Sequence, residues 1–450
     1  MLEEQEGTLN QLPEDVLANI LRRLAPRCLA TSRCVCKPWC TIIDTRRLLR
    51  SDLLPLSVAG IFINFHGLVL SEFFSRSSTG PTLSDYLPFR GNFRDHCNGL
   101  LLLHNYVVNP ATRQWVQLPP RPSPHLGTKN FFHKEYLVFD PTLSPHYEVF
   151  LIPHASAVSG WFNSDIKLNP AIEELEWPLS PCILHVFSSR TEGWEERSFV
   201  REGEAAGTVA DMRLDGSYGY HCHNAVYWRG ALYVHCQTNF VMRISLLDGK
   251  YQVIKPPADI ELTPNPKLYL GGSQKGVYCA LDDYYVYILD ESYGKMEWVR
   301  KASISLRHRQ TDRPKPWTLQ DINYGGSHDE YQDGNDEVIM EQKFEWGFDN
   351  NNAVETKEWD SDNDNVIDTE GWGNSNFGGD ITFLGFHPYK EVVFLSEGLS
   401  RGVAYHLNSS KVQDLGNLSP THYGTCMGIE PFIKGSFPYT PWMGEFPEEN

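Results

Sequence analysis

The chain has 450 residues, 41% hydrophobic and 12% aromatic, with a formal net charge of −18. That composition excludes an intrinsically disordered chain and allows a sizeable core in two or three domains. No basic start leads into an apolar segment, the longest apolar run (53–70) is broken by Asn64 and His66, and the 10 cysteines are irregularly spaced. The expectation is therefore a soluble protein of the cytoplasm or nucleus with reduced thiols, without a membrane span or a disulfide framework.

The first patterned segment, 12–43, reads LPEDVLANILRRLAPRCLATSRCVCKPWCTII. Leu17, Ile20, Leu21 and Leu24 fall at i, i+3, i+4 and i+7, one apolar helical face, with Arg22 and Arg23 on the other side. Pro13 suits a first turn, where its missing N–H costs nothing, and Glu14 and Asp15 follow where the helix dipole favours negative charge. Pro26 marks the stop. A second apolar-periodic run, 29–37, ends before Pro38, and a third carries Trp39, Ile42 and Ile43 ahead of Arg46, Arg47 and Arg50. Three helices this short bury too little to stand alone, so another surface must cover their apolar face. Five or six Leu or Ile anchors would supply on the order of 10 kcal/mol gross. Association costs about 4–15 kcal/mol in lost freedom, so tight docking requires helices held ready by their own packing.

The pattern LPEDVLxxILxRL, followed about ten residues on by VCKPWxxII, resembles the F-box, expected here over 8–50. The resemblance implies docking to a Skp-type adaptor and through it to a cullin, in an SCF-type ubiquitin ligase. Position by position it puts Leu12, Pro13, Ile20, Leu21, Leu24, Val35, Cys36 and Trp39 against the adaptor. Ala25 departs from the family pattern, which often has Pro there; Pro26 follows directly, so a small change of turn is expected. The competing reading is a helical cap packed on its own downstream domain. Between 22 and 50 there are eight Lys or Arg against the single Asp44. Such a region suits nucleic acid or an acidic protein surface, and the negative sign of the whole chain favours the protein.

Residues 51–95 read as a connector with first β-strands. From about His96 one pattern recurs: an apolar β-rich run, an Asp/Asn/Ser/Gly turn, then a second run with an aromatic or β-branched centre. Six copies are visible, at 97–119, 136–153, 183–199, 225–257, 276–304 and 381–416. Turn positions Ser188, Asp248 and Asp290 lie 60 and 42 residues apart, near the roughly 40–50 of four-stranded propeller blades. One such sheet leaves two faces and two edges to cover, and radial stacking solves both. The expected fold is thus a small all-α unit followed by an all-β domain over 96–435, a β-propeller of about six to eight blades. A pair of β-sandwiches is the alternative. CNGLLLL with NPATRQW, and LGFHPYKEVVFL with VAYHLNSSKVQDLG, resemble the F-box-associated, kelch-like region of plant F-box proteins. Residues 425–433 are expected to close the ring by pairing with strands from 58–70, leaving 436–450 as a tail.

Most of the acidity is local. Residues 320–380 hold 17 Asp or Glu against 2 Lys, leaving a net −3 for the rest of the chain. Five aromatics, Phe344, Trp346, Phe348, Trp359 and Trp372, argue against a pure linker. The segment reads as an insertion with short strands at 343–348 and 354–359, either a surface loop or a recognition loop for a basic target.

Catalytic and metal-binding signals are weak. Cys28, Cys34, Cys36 and Cys40 lack a paired CxxC, and His221, Cys222 and His223 offer two ligands without a third. GGSQKG at 271–276 lacks the ending of a phosphate loop, and no HExxH or GxSxG occurs. No metal, cofactor or catalytic residue is expected. The function expected is therefore that of a non-catalytic substrate receptor that holds a target protein near the ubiquitin carrier. A glycan-reading module is the alternative, with Trp161, Trp177, Trp228, Trp317 and Trp442 as stacking candidates.

Overall fold

The computed structural model describes residues 14–21, 32, 36–46, 58–76, 91–125, 131–154, 169–214, 224–258, 260, 268–273, 275–281, 285–304, 306, 316–320, 322–323, 366–367, 381–421, 423 and 432–447. It is dominated by β-strands; at the front the described residues include the helices Glu14–Leu21 and Lys37–Thr45.

Among the described residues most strands fall into six four-stranded antiparallel units, and Glu176–Trp177 pairs with Gly207–Thr208 as a separate two-stranded sheet. The first unit comprises Asp95–Cys97, Leu100–Leu103, Tyr106–Asn109 and Gln114–Gln117; the second comprises Phe132–Phe139, Tyr147–His154, Cys182–Ser188 and Gly193–Glu202. The third runs through Ala225–Trp228, Ala231–His235, Val241–Ser245 and Lys250–Ile254, and the fourth through Leu268–Ser273, Gly276–Leu281, Tyr285–Asp290 and Glu297–Ser303. The fifth contains Ile381–Phe386, Val392–Glu397, Arg401–His406 and Val412–Gly416, with Val366–Ile367 added at its outer edge. The sixth draws on both ends of the chain: Ile433–Tyr439 pairs with Gly60–Phe65, which pairs with Glu72–Ser75, which pairs with Thr318–Leu319. A parallel contact of Val200 with Lys250 joins the second and third units into one eight-stranded sheet.

Local sequence explains the meanders. Asn98 and Gly99 take φ of 46° and 93°, and Arg229 and Gly230 take 47° and 78°, in two-residue loops between paired Cys97 and Leu100 and paired Trp228 and Ala231. Positive φ at both central residues is the hairpin turn whose twist matches the strands.

Each sheet is covered on both faces, so many strands read as unbroken apolar runs rather than alternating ones. Leu100 and Leu102 pack with Leu137, Phe139 and Val149 of the second unit, whereas Leu101 and Leu103 pack with Phe62 and Phe437 of the sixth. The same division recurs around the molecule. Separate apolar layers join second to third, third to fourth, fourth to fifth, and fifth to sixth units.

The first strands of neighbouring units run in one direction. Leu137 N–H donates to Asp95 (2.7 Å), Leu270 N–H donates to Asn224 (3.1 Å), Tyr269 stacks near Phe383, and the Ser436 hydroxyl meets the Phe383 carbonyl. Phe437 packs on His96, completing the circuit back to the first unit.

Three expectations about organisation change. The repeats at 136–153 and 183–199 are two halves of one sheet, because 147–154 and 182–188 pair directly through His185 and Leu151. The strand that pairs with Gly60–Phe65 is Ile433–Tyr439, past most of the expected 425–433. Residues 436–447 are no tail: Trp442 lies in the layer between first and second units, and the Asn109 amide donates to the Gly444 carbonyl at 2.8 Å. Of the acidic insertion, Ile322 and Asn323 are anchored by N–H donation to buried Glu72; the strands expected at 343–348 and 354–359 lie outside the described residues.

Candidate functional site

The two front helices pack on each other through Leu17, Ala18 and Leu21 against Ile42 and Ile43, with Trp39 at the edge of this small core. Arg46, just past the second helix, reaches back to Asp15 (2.8 Å) and Glu14 (3.4 Å) on the first turn of the first. All three side chains are largely exposed, so the pairing orients the helices more than it stabilises them. On the outer side of the first helix, Val16 and Ile20 stand one turn apart at 43% and 45% exposure.

The apolar stripe read from the sequence therefore divides. Ile20 faces outward, but Leu21, expected at the adaptor, is fully covered by its own chain because Ile42 and Ile43 occupy that side. Cys36 and Trp39 are half-buried. Leu12, Pro13, Leu24 and Val35 lie outside the described residues. Val16 was not singled out by the periodicity, although its i, i+4 spacing to Ile20 is the signal that identifies it.

A second feature is the central cavity, about 1530 Å³, enclosed by the first strands of all six units. At the end where these strands begin, its wall carries Arg94, Phe132, Lys134, Asn224, Leu268, Ile381, Phe432 and Lys434. Burial pushes the Asp95 carboxyl up to about 7, against hydrogen bonds from the Leu137 and His96 backbone. Burial also lowers neighbouring His96 to about 4. Beside them, Glu135 is held by Arg94 (3.3 Å) and Arg121; burial raises its carboxyl while the two guanidiniums oppose the shift. Arg121 also meets the His104 ring at 2.8 Å.

The tryptophans named for sugar stacking are mostly structural. Trp177, Trp317 and Trp442 are buried in the apolar layers, and Trp161 lies outside the described residues. Trp228 is half-buried at the cavity wall, with the Arg229 guanidinium 4.4 Å from its ring centre. Cys36 and Cys40 are in no disulfide among the described residues, and among those residues no group of His, Cys, Asp and Glu could hold a metal ion. Cys28, Cys34, His221, Cys222 and His223 fall outside the described residues. No described helix is long and apolar enough to cross a membrane.

Comparison with known families decides the nature of the front helices. Residues 9–51 match the F-box domain. The matched stretch covers both described helices and the Arg46 contact. Similar curated proteins include a putative F-box protein of Arabidopsis thaliana, 32% identical over 29% of this chain and 39% of its own length. An F-box protein of the same plant is 27% identical over 48% of this chain and 51% of its own length. A further putative F-box protein of that plant is 28% identical over 33% of this chain and 53% of its own. The chain therefore spans about two fifths to about half the length of the curated relatives it matches.

Proposed function

We propose that this chain is the substrate-recognition subunit of an SCF-type, cullin-based ubiquitin ligase, acting in the cytoplasm or nucleus. The observation that carries the reading is the F-box match at 9–51, in which the helices are held together by their own core while Val16 and Ile20 stay bare. Preorganisation of this kind lowers the ordering cost of docking a Skp-type adaptor. In this reading Ile20 and Trp39 contact the adaptor together with Leu12, Pro13, Leu24, Val35 and Cys36, and Leu21 acts by fixing the angle between the helices.

The β-part is read as a six-bladed propeller of the F-box-associated, kelch-like kind. Six antiparallel meanders packed face to face in a closed circuit, one of them combining strands from both chain ends, support it. The C-terminal strand then closes the ring, as radial stacking of sheets requires. Its task is to hold a target protein beside the ubiquitin carrier. Tethering raises effective concentration with no reacting group on this chain.

The test is affinity purification of the full chain from cells with the proteasome blocked, read for adaptor and cullin. Wild-type chain should recover both, and Ile20→Asp should recover neither. Equal recovery with the variant overturns the reading.

A further inference from the structure

We propose that Arg46 is the positioning residue of the adaptor face: its guanidinium bridges Glu14 and Asp15 and so fixes the roll at which the first helix presents Val16 and Ile20 to a Skp-type adaptor. The inference rests on the substrate-receptor reading for the adaptor, and adds to it a residue that the family pattern leaves without a role.

The helix Lys37–Thr45 delivers Arg46 from a fixed place. Its last turn is closed by the Arg46 N–H on the Ile42 carbonyl (3.0 Å) and by the Thr45 hydroxyl on the Thr41 carbonyl (2.7 Å). Ile42 and Ile43, just before it, pack on Leu17 and Leu21, so the side chain starts beside the first helix. From there Nη2 donates to Asp15 at 2.8 Å, and Nε and Nη2 both reach one oxygen of Glu14 at 3.4 Å. One planar group thereby spans two adjacent carboxylates, a fork that an ammonium cannot reproduce. The helix ends favour the arrangement as well. Both acids stand in the first turn of one helix, at the positive end of its dipole, and the cation follows the last turn of the other, at the negative end.

Apolar burial is non-directional, so it resists separation of two helices more than rotation of one against the other. The small core of Leu17, Ala18, Leu21, Ile42 and Ile43 therefore holds the pair together and leaves its relative roll weakly set. Charge-assisted hydrogen bonds have direction and supply what the core lacks. All three side chains face solvent, with 44% of Arg46, 57% of Glu14 and 80% of Asp15 exposed, so their share of stability is small. Their control is over where the bare stripe points. Val16 follows Asp15 directly, and Ile20 stands one turn further on. A partner that must seat both side chains at once feels a fixed roll as affinity, because a surface held ready loses less freedom on docking.

The test is a charge-swap cycle on the full chain, read by calorimetric titration with purified Skp-type adaptor and by hydrogen exchange of the amides of 14–21. Arg46→Glu should weaken adaptor binding about tenfold and speed exchange of those amides severalfold, with an unchanged melting profile. Arg46→Lys, which reaches one carboxylate at a time, should be about threefold weaker than wild type. Asp15→Arg alone should weaken binding severalfold. Arg46→Glu combined with Asp15→Arg should return to within about twofold of wild type, because the pair is remade with its signs exchanged. Three results overturn the inference: wild-type affinity in Arg46→Glu, losses that add in the double variant, as they would if each side chain touched the adaptor itself, or a melting transition lowered in step with affinity. A wild-type chain that binds no adaptor overturns the substrate-receptor reading. The roll of the first helix is then decided by exchange alone: faster exchange in Arg46→Glu, restored in the double variant, upholds the clamp, and unchanged exchange overturns it.

Discussion

Two neighbouring leucine-class positions on one helix have opposite roles. Leu21 is interior and Ile20 exterior, a distinction set by where Ile42 and Ile43 land rather than by period. Helical periodicity marks an apolar face; it does not say which half of that face the chain covers itself. At the cavity wall, adjacent Asp95 and His96 oppose each other in pH dependence. Asp95 holds its proton more tightly when folded, so its contribution is full below 3.8 and is lost as pH rises through about 7. His96 is kept neutral by burial, so its contribution is present above 6.5 and lost as pH falls through about 4. Between those limits the two slopes nearly cancel. Asp95→Asn removes the first while keeping an acceptor for the Leu137 N–H. Its unfolding free energy, from urea titrations across pH 4 to 6.5, should then rise with pH by up to about 1 kcal/mol per pH unit, more steeply than wild type. A slope no different from wild type would contradict the assigned burial.

Among the elements, the hairpins were the most legible. Apolar runs punctuated by Asn98-Gly99 or Asp248-Gly249 translate directly into strand pairs, because positive φ is confined to few residue types. What could not be read was which pairs share a sheet. The long gap between 154 and 182 separated two halves of one unit, and the sixth unit joins residues more than 350 apart in sequence, beyond any local pattern. Close approach between inner strands also escaped notice. A side chain at Gly271 would overlap the Phe386 ring, and one at Gly385 would overlap Pro438; both glycines let neighbouring units meet at the cavity wall. The C-terminal stretch is a further structural element. Trp442 packs on Phe139 with ring centres 4.7 Å apart, and Phe446 N–H donates to Gln114. Trp442→Ala should therefore cost about 3–5 kcal/mol of stability in denaturant unfolding. A change below about 1 kcal/mol would restore the reading of 436–450 as a dispensable tail.

At the scale of the whole molecule, two parts are distinct: a pair of front helices with its own small core, and sheets joined by apolar layers around a cavity. The F-box pattern and the all-β character were both legible from residue type and spacing. The cavity was not, because its lining comes from segments scattered between residues 64 and 440 that meet only through long-range pairing.

Calorimetric titration of purified Skp-type adaptor into the full chain tests the central claim most directly. Ile20→Asp should weaken binding by about 2 kcal/mol, roughly thirtyfold, with an unchanged melting profile. Leu21→Ala should weaken it too, but together with a lower melting transition of the helical unit, through a cavity costing about 2–5 kcal/mol. Wild-type affinity in Ile20→Asp would contradict the account.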